Sequence, residues 1–131
     1  FGISKPNNTK VLFDTADELG VTTVLDTELA AMTVREAAER ALAAVDGDRP
    51  IHLSIDLDVL PAAVAPGVSA PAGFGVEYAM LRAMVAVVAS TGRVALLDVV
   101  ELNPDFDVDN RTAKAAARLI DDAVVGAKLR R

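Results

Sequence analysis

The chain of 131 residues predicts an α/β fold, a single domain with a parallel sheet and helices on both faces, three layers deep (αβα). Three observations predict it. Short β-branched apolar runs alternate with longer stretches of helical periodicity, in the order βαβαβαβα. The run 93–100 is almost unbroken apolar sequence, as in a strand buried on both faces. The two long loops, 58–75 and 101–109, both follow strands, which is where open parallel sheets place their ligand crevice.

Each element has its own signal. Phe1-Gly2-Ile3-Ser4 reads as the tail of a strand, so that the numbering starts inside an apolar element of a longer domain. Pro6-Asn7-Asn8-Thr9 supplies helix-start chemistry for a helix over 8–19, and Gly20 closes it. The β-branched run 21–25 predicts a short buried strand. Thr33-Val34-Arg35-Glu36 is a capping box opening a helix that reaches residue 45, and Asp46-Gly47-Asp48 ends it. A strand follows over 51–57. After the first long loop, 76–90 has helical periodicity and Gly92 sits at the expected stop. The strand 93–100, the second long loop and a helix over 110–128, with Lys and Arg toward its C-terminal end, complete the chain.

Composition excludes several function classes. With 52% hydrophobic but only 4% aromatic residues, the core is expected to be aliphatic. The net charge of −6 argues against nucleic acid and anionic membranes as partners. Cysteine is absent, which removes disulfides, thiolate ligands and cysteine nucleophiles. Arg82 interrupts the Ala/Val-rich stretch 76–89 before it could span a membrane, and no signal peptide is visible, so a cytoplasmic location is expected.

The chemistry is concentrated in Ser54-Ile55-Asp56-Leu57-Asp58, where an apolar strand runs out toward Ala65-Pro66-Gly67-Val68-Ser69-Ala70-Pro71. Carboxylates at i and i+2 of a strand share a face and lie about 7 Å apart. They can hold a pair of divalent ions about 3.5–4 Å apart, as in two-metal hydrolytic sites. Asp98 and Glu101 fall at or just beyond the end of the next strand, so neighbouring strands would bring four carboxylates to one crevice. Mg²⁺ and Mn²⁺ favour such oxygen ligands. An Asp that closes a strand often only caps the following turn. A pair within an apolar strand argues for more, because burying like charges is costly without a cation. His52, the sole histidine, lies within the apolar strand and reads as a satisfied core residue.

Two stretches resemble the ureohydrolase family of arginases, agmatinases and formimidoylglutamases. The first is Ser54-x-Asp56-x-Asp58 with Ala62, Pro66-Gly67 and Gly75; the second is Leu97-Asp98-Val99-Val100-Glu101-Leu102-Asn103-Pro104. The wording is most similar to the formimidoylglutamase branch. Asp58-Val59-Leu60-Pro61-Ala62-Ala63 replaces the Asp-Pro usual after the second Asp, and Gly2-Ile3-Ser4, Asn8-Thr9 and Leu12-Phe13 also fit that branch. The resemblance covers essentially the whole chain but only the C-terminal half of the family's domain.

What the resemblance implies is a partial arginase-like fold, residues 1–131 being the C-terminal part of one domain. Asp56 and Asp58 would be two of six protein ligands of a binuclear Mn²⁺ site, and Glu101 would hold the cationic amidine or guanidine head of the substrate. Ser54 and Asp98 would support the site by hydrogen bonding from behind the ligands. Ala70 stands where arginases carry a hydroxyl residue before Pro71, in keeping with a substrate other than arginine. The implied reaction is hydrolysis of a linear amidine by metal-activated water. N-formimidoyl-L-glutamate would give formamide and L-glutamate, as in histidine degradation; agmatine or arginine would give urea. The family's Gly-Gly-x-His and Asp-x-His-x-Asp motifs are absent. The isolated chain is therefore expected to be inactive, to bind Mn²⁺ weakly or not at all, and to associate as a homo-oligomer or with a chain that supplies the missing half. A Mg²⁺-binding regulatory module of the phosphoacceptor type lacks its acidic pair after the first strand and its later Lys. A non-catalytic structural remnant is the third reading.

Overall fold

The computed structural model describes residues 1–128. Its centre is a parallel pair of strands, β1 (Ile51–Asp56) and β2 (Val94–Val100), aligned so that Ser54 lies beside Asp98 and Asp56 beside Val100. A register irregularity between Ile51 and His52 sets that alignment. Leu53 and Ile55 of β1, with Leu97 and Val99 of β2, pack into the hydrophobic core. His52 and Ser54 stay exposed on the opposite face, with Leu96 55% exposed beside them.

The helices that cover the inner face are α3 (Val34–Ala44), α4 (Tyr78–Ala89) and α5 (Arg111–Lys128), with α4 packed between the other two. The sequence explains that order. α4 is apolar nearly all round, as a helix needs to be when neighbours cover it on several sides; Met80, Leu81, Met84, Val85, Val88 and Ala89 are buried. α3 and α5 turn small residues toward it, Ala37 and Ala41 from one, Ala115, Ala116 and Ala123 from the other. Arg82 of α4 grips Asp122 of α5 through two hydrogen bonds of 2.6 and 3.0 Å, and the Tyr78 hydroxyl donates to the Ala115 carbonyl at 2.9 Å. The capping box of α3 forms as expected: Glu36 N donates to Thr33 Oγ1 and Thr33 N to Glu36 Oε2.

The N-terminal third departs from expectation. The segments 1–4 and 21–25 do not form strands; they meet at one parallel bridge between Ile3 and Leu25. A strand is held by ladder bonds to its neighbours, and Val21, at 52% exposure, has none to pack against. The first helix, α1 (Lys10–Glu18), is shorter than expected and buries no residue. A five-residue helix, α2 (Asp26–Ala30), follows the bridge, its entry held by Glu28, whose carboxylate accepts Leu25 N at 2.8 Å. Five residues are too few to show a helical period. The basic residues beyond Lys128 lie outside the described residues. Among the described residues no helix is long and apolar enough to cross a membrane.

The loop 58–75 is pinned rather than loose. Leu60, Ala65, Val68 and Ala72 are buried, and bridges join Pro61 to Ala72 and Val68 to Leu102. Two of the motif glycines have a steric reason. A Cβ on Gly67 would lie 2.5 Å from the Asp107 side chain, because Gly67 N donates to the buried Thr112 hydroxyl at 2.7 Å and draws the loop onto the start of α5. Gly75 combines a φ of +77° with a backbone contact on Pro61 that no Cβ could tolerate.

Candidate metal centre

The carboxyl ends of β1 and β2 carry the acidic residues singled out from the sequence. Asp56 is the last residue of β1, and its Oδ1 accepts the backbone N–H of Asp58 at 2.8 Å. That bond turns the chain into a 3₁₀ turn over Leu57–Val59. Asp58 therefore leaves the strand, which corrects the expectation that both carboxylates project from one extended strand face. The apolar Leu57 drives the turn by burying itself completely, and Asp58 follows it inward.

The result is a half-buried carboxylate whose Oδ1 is sealed from solvent without a hydrogen-bond partner. Burial pushes the Asp58 carboxyl up from its ordinary pKa, and the charges of Asp56 and Glu101 push it the same way; the Ala70 amide opposes them. Three acidic groups thus act on one corner, and an orphaned oxygen stands where a hard cation would both neutralise and satisfy it. Among the described residues no three His, Asp or Glu side chains are arranged to close around one ion. The chain fits one side of a coordination sphere and leaves the other side to donors it does not hold.

Glu101 follows β2 directly and sits at φ +72°, in the left-handed region that a non-glycine residue adopts at a cost. Its side chain is exposed. Beside the corner opens a cavity of about 380 Å³. Asp56, Asp58 and Ala70 line one side of it, and Ser4, Asn7 and Asn8 the other. The Asn8 carboxamide donates to the Ser4 carbonyl at 2.9 Å and stiffens that wall. Sequence reasoning assigned Ser4 to a strand tail and Asn7 and Asn8 to a helix start; no local signal places them across from Asp56, because the approach spans about fifty residues of chain.

Ser54 and Asp98 meet as the register requires. Ser54 Oγ donates to Asp98 Oδ1 at 2.5 Å, and His52 Nε2 lies 2.5 Å from Asp98 Oδ2. The hydrogen bond from Ser54, followed by that from His52, holds the Asp98 carboxyl below its ordinary pKa. His52 is thus an exposed partner of Asp98, which corrects its reading as a core residue. The alternation of β1 decides this: with Ile55 buried at 3% exposure, residues 52 and 54 must face the other way. Asp98 sits a step behind the corner, engaged with Ser54 and His52.

Comparisons with known proteins bear on the family and the fold. The model of the arginase family matches residues 1–126. The chain belongs to the arginase family. A formimidoylglutamase of Corynebacterium efficiens is 50% identical over 121 residues, which cover 92% of this chain and 38% of that protein. The crystal structure of formimidoylglutamase from Bacillus subtilis superposes with a TM-score of 0.89 at 27% identity, covering 98% of this chain and 41% of the other. A Trypanosoma cruzi formiminoglutamase solved with Mn²⁺ superposes at 0.85; at 22% identity it speaks to fold alone, over 96% of this chain and 43% of the other. This arginase-family chain therefore has a partial arginase-like α/β fold and spans somewhat more than a third of the curated relative's length.

Proposed function

We propose that this chain carries one part of the active site of a Mn²⁺-dependent hydrolase of linear amidines, with N-formimidoyl-L-glutamate as substrate. The observation that carries the proposal is Asp58: a carboxylate with a sealed, unpartnered oxygen, raised in pKa by burial and by Asp56 and Glu101. The similarity to formimidoylglutamases supports the branch and the substrate. Asp56 and Asp58 would hold Mn²⁺ together with donors from the part of the domain this chain does not span. When bound, the metal supplies water activated near neutral pH.

The chain's own residues have separable tasks. Asp56 is held by its bond to Asp58 N, which fixes one oxygen and leaves the other free. Glu101 would face the amidinium end of the substrate, its carboxylate attracting the cation and aligning its trigonal carbon. Ser54 and Asp98 lock β1 against β2 two residues before Asp56, so the ligand strand cannot slip. Ala70 leaves its side of the cavity without a hydroxyl. The domain is cytoplasmic in this reading.

Two donors cannot make a tight binuclear site, so the isolated chain is expected to be inactive. Calorimetric titration with Mn²⁺ should show weak binding or none, and two sites tighter than micromolar would sink that expectation. Assembled with the complementary part of a relative, the complex should release formamide and glutamate from N-formimidoyl-L-glutamate. Urea release from agmatine or arginine instead would move the assignment to another branch. The remnant reading draws on one observation, the lack of a three-donor group among the described residues. It predicts that the assembled complex hydrolyses none of these substrates.

A further inference from the structure

Asp26 is a carboxylate to which the fold brings no counter-charge. It opens α2 and is only 3% exposed, yet no Lys, Arg or His pairs with it among the described residues. An aspartate is almost never so buried without a partner, because the charge gives up its hydration. The helix start accounts for half of the group: Thr27 N–H donates to Asp26 Oδ1 at 2.7 Å. Oδ2 has no donor among the described residues. It is not sealed off either, a state that Asp58 Oδ1 alone has among them. Oδ2 is therefore open to space inside the fold, and Asp26 lines a cavity of about 140 Å³ between α2, the start of α4 and the loop 58–75. That cavity shares no lining residue with the one beside Asp56 and Asp58.

We propose that this cavity is a binding site for an organic cation on a short alkyl stem, a guanidinium or ammonium group whose charge meets Asp26. The lining specifies the guest. Leu29, Val76 and Met80, all buried, give walls that suit an alkyl stem. Phe74, 57% exposed, adds an aromatic surface on which a planar cation can stack. Glu77 is exposed, lines the same cavity and has no ion pair among the described residues, so its charge draws a cation toward the opening. A hard metal ion is a poor fit, because it needs six or more oxygens and the lining side chains offer two carboxylates. The volume also limits the guest: a cavity of this size takes a molecule about as large as a six-membered ring. Gly75, at φ +77° against Pro61, lets the loop close over this side without a side chain intruding. The fixed negative charge and the apolar stem channel are the two halves of one recognition pattern, long side chains with a charged tip.

The site does not depend on the hydrolase reading, and its test reads binding and not turnover. The probe is ethylguanidinium, titrated into the ¹⁵N-labelled chain while amide resonances are followed by NMR; ethylurea is its uncharged counterpart. We expect saturable shifts at the amides of Leu29, Gly75 and Met80, with a dissociation constant of about 1 mM, near what six non-hydrogen atoms can supply. Ethylurea should bind about tenfold more weakly or not at all. Asp26→Asn keeps an acceptor for Thr27 N–H and removes the charge, so it should weaken the probe about tenfold or more. Glu77→Gln should weaken it about two- to threefold, and Glu18→Gln, exposed on α1 outside the cavity, should leave it unchanged. The dispersion of each variant's spectrum reports that the chain is folded. Should the same amides shift when the chain alone is concentrated, and Asp26→Asn abolish that shift, the site stands and the cation is a Lys or Arg of a second copy. Three results would overturn the proposal: no saturable shift at these amides up to about 50 mM probe, equal affinity for ethylurea, or undiminished binding by Asp26→Asn.

Discussion

Residues 34–128 and residues 1–33 were written by the sequence in the same alternating style, yet they reach different degrees of order. In the larger region every helix has a partner: α4 lies between α3 and α5, and Leu119 and Thr112 are fully buried. In the smaller region α1 buries nothing, with Val11 69% and Leu12 56% exposed, and two expected strands shrink to a bridge. The difference teaches that β-propensity and amphipathic spacing are only requests. They are granted where a neighbouring element is present to take the apolar face or the ladder.

The largest contrast is in packing. Leu119→Ala should cost about 2–5 kcal/mol, since the side chain is 0% exposed in the core. Leu12→Ala in α1 should change stability by less than about 0.5 kcal/mol. Urea denaturation of the two variants checks both, and a loss at Leu12 as large as at Leu119 would break the comparison.

A smaller effect belongs to the α4–α5 seam. Arg82, with Arg118 adding to it, holds the Asp122 carboxyl below its ordinary pKa against the opposing effect of burial. The folded state thus binds a proton there less readily than the unfolded chain. The stabilisation is complete above the unfolded carboxylate range and is lost as pH falls through the lower, folded value. Asp122→Asn should cost about 1.5–3 kcal/mol at neutral pH. Melting temperatures measured across the acid range should fall less steeply for the variant than for the parent chain. Parallel curves would mean that other carboxylates set the acid limit.

The smallest predicted effect has the opposite sign. Glu101 stores strain at φ +72°, and glycine adopts that region freely, so Glu101→Gly should stabilise the chain by about 1 kcal/mol. A shift of the urea midpoint upward would show that the well-packed region tolerates strain next to the acidic corner. A downward shift would mean that the Glu101 side chain has a structural task.

Much of the acidic corner was legible in the chain, for a local reason. Asp56, Asp58 and Glu101 sit at strand ends, and strand ends are marked by where apolar runs stop. The turn that takes Asp58 off the strand was not legible, because it depends on Leu57 finding a closed apolar site. His52 was misread for a related reason. Which face of β1 is inside depends on where α3 and α4 lie, and nothing between residues 51 and 56 states that. The cavity wall of Ser4, Asn7 and Asn8 was invisible because proximity over fifty residues leaves no periodic trace.

By itself, then, the sequence determined the βα alternation of its C-terminal two thirds, the capping of α3, the glycine-bearing loop after β1 and the acidic residues that end the strands. These follow from interactions within a few residues: steric limits on φ, the period of apolar side chains and reciprocal capping bonds. The tertiary structure alone decided that Asp58 turns inward with an unpartnered oxygen, that His52 joins Asp98 on the open face, and that the sheet is interrupted beside β1. Those outcomes depend on burial and on backbone pairing, which are properties of the neighbours an element finds and not of the element.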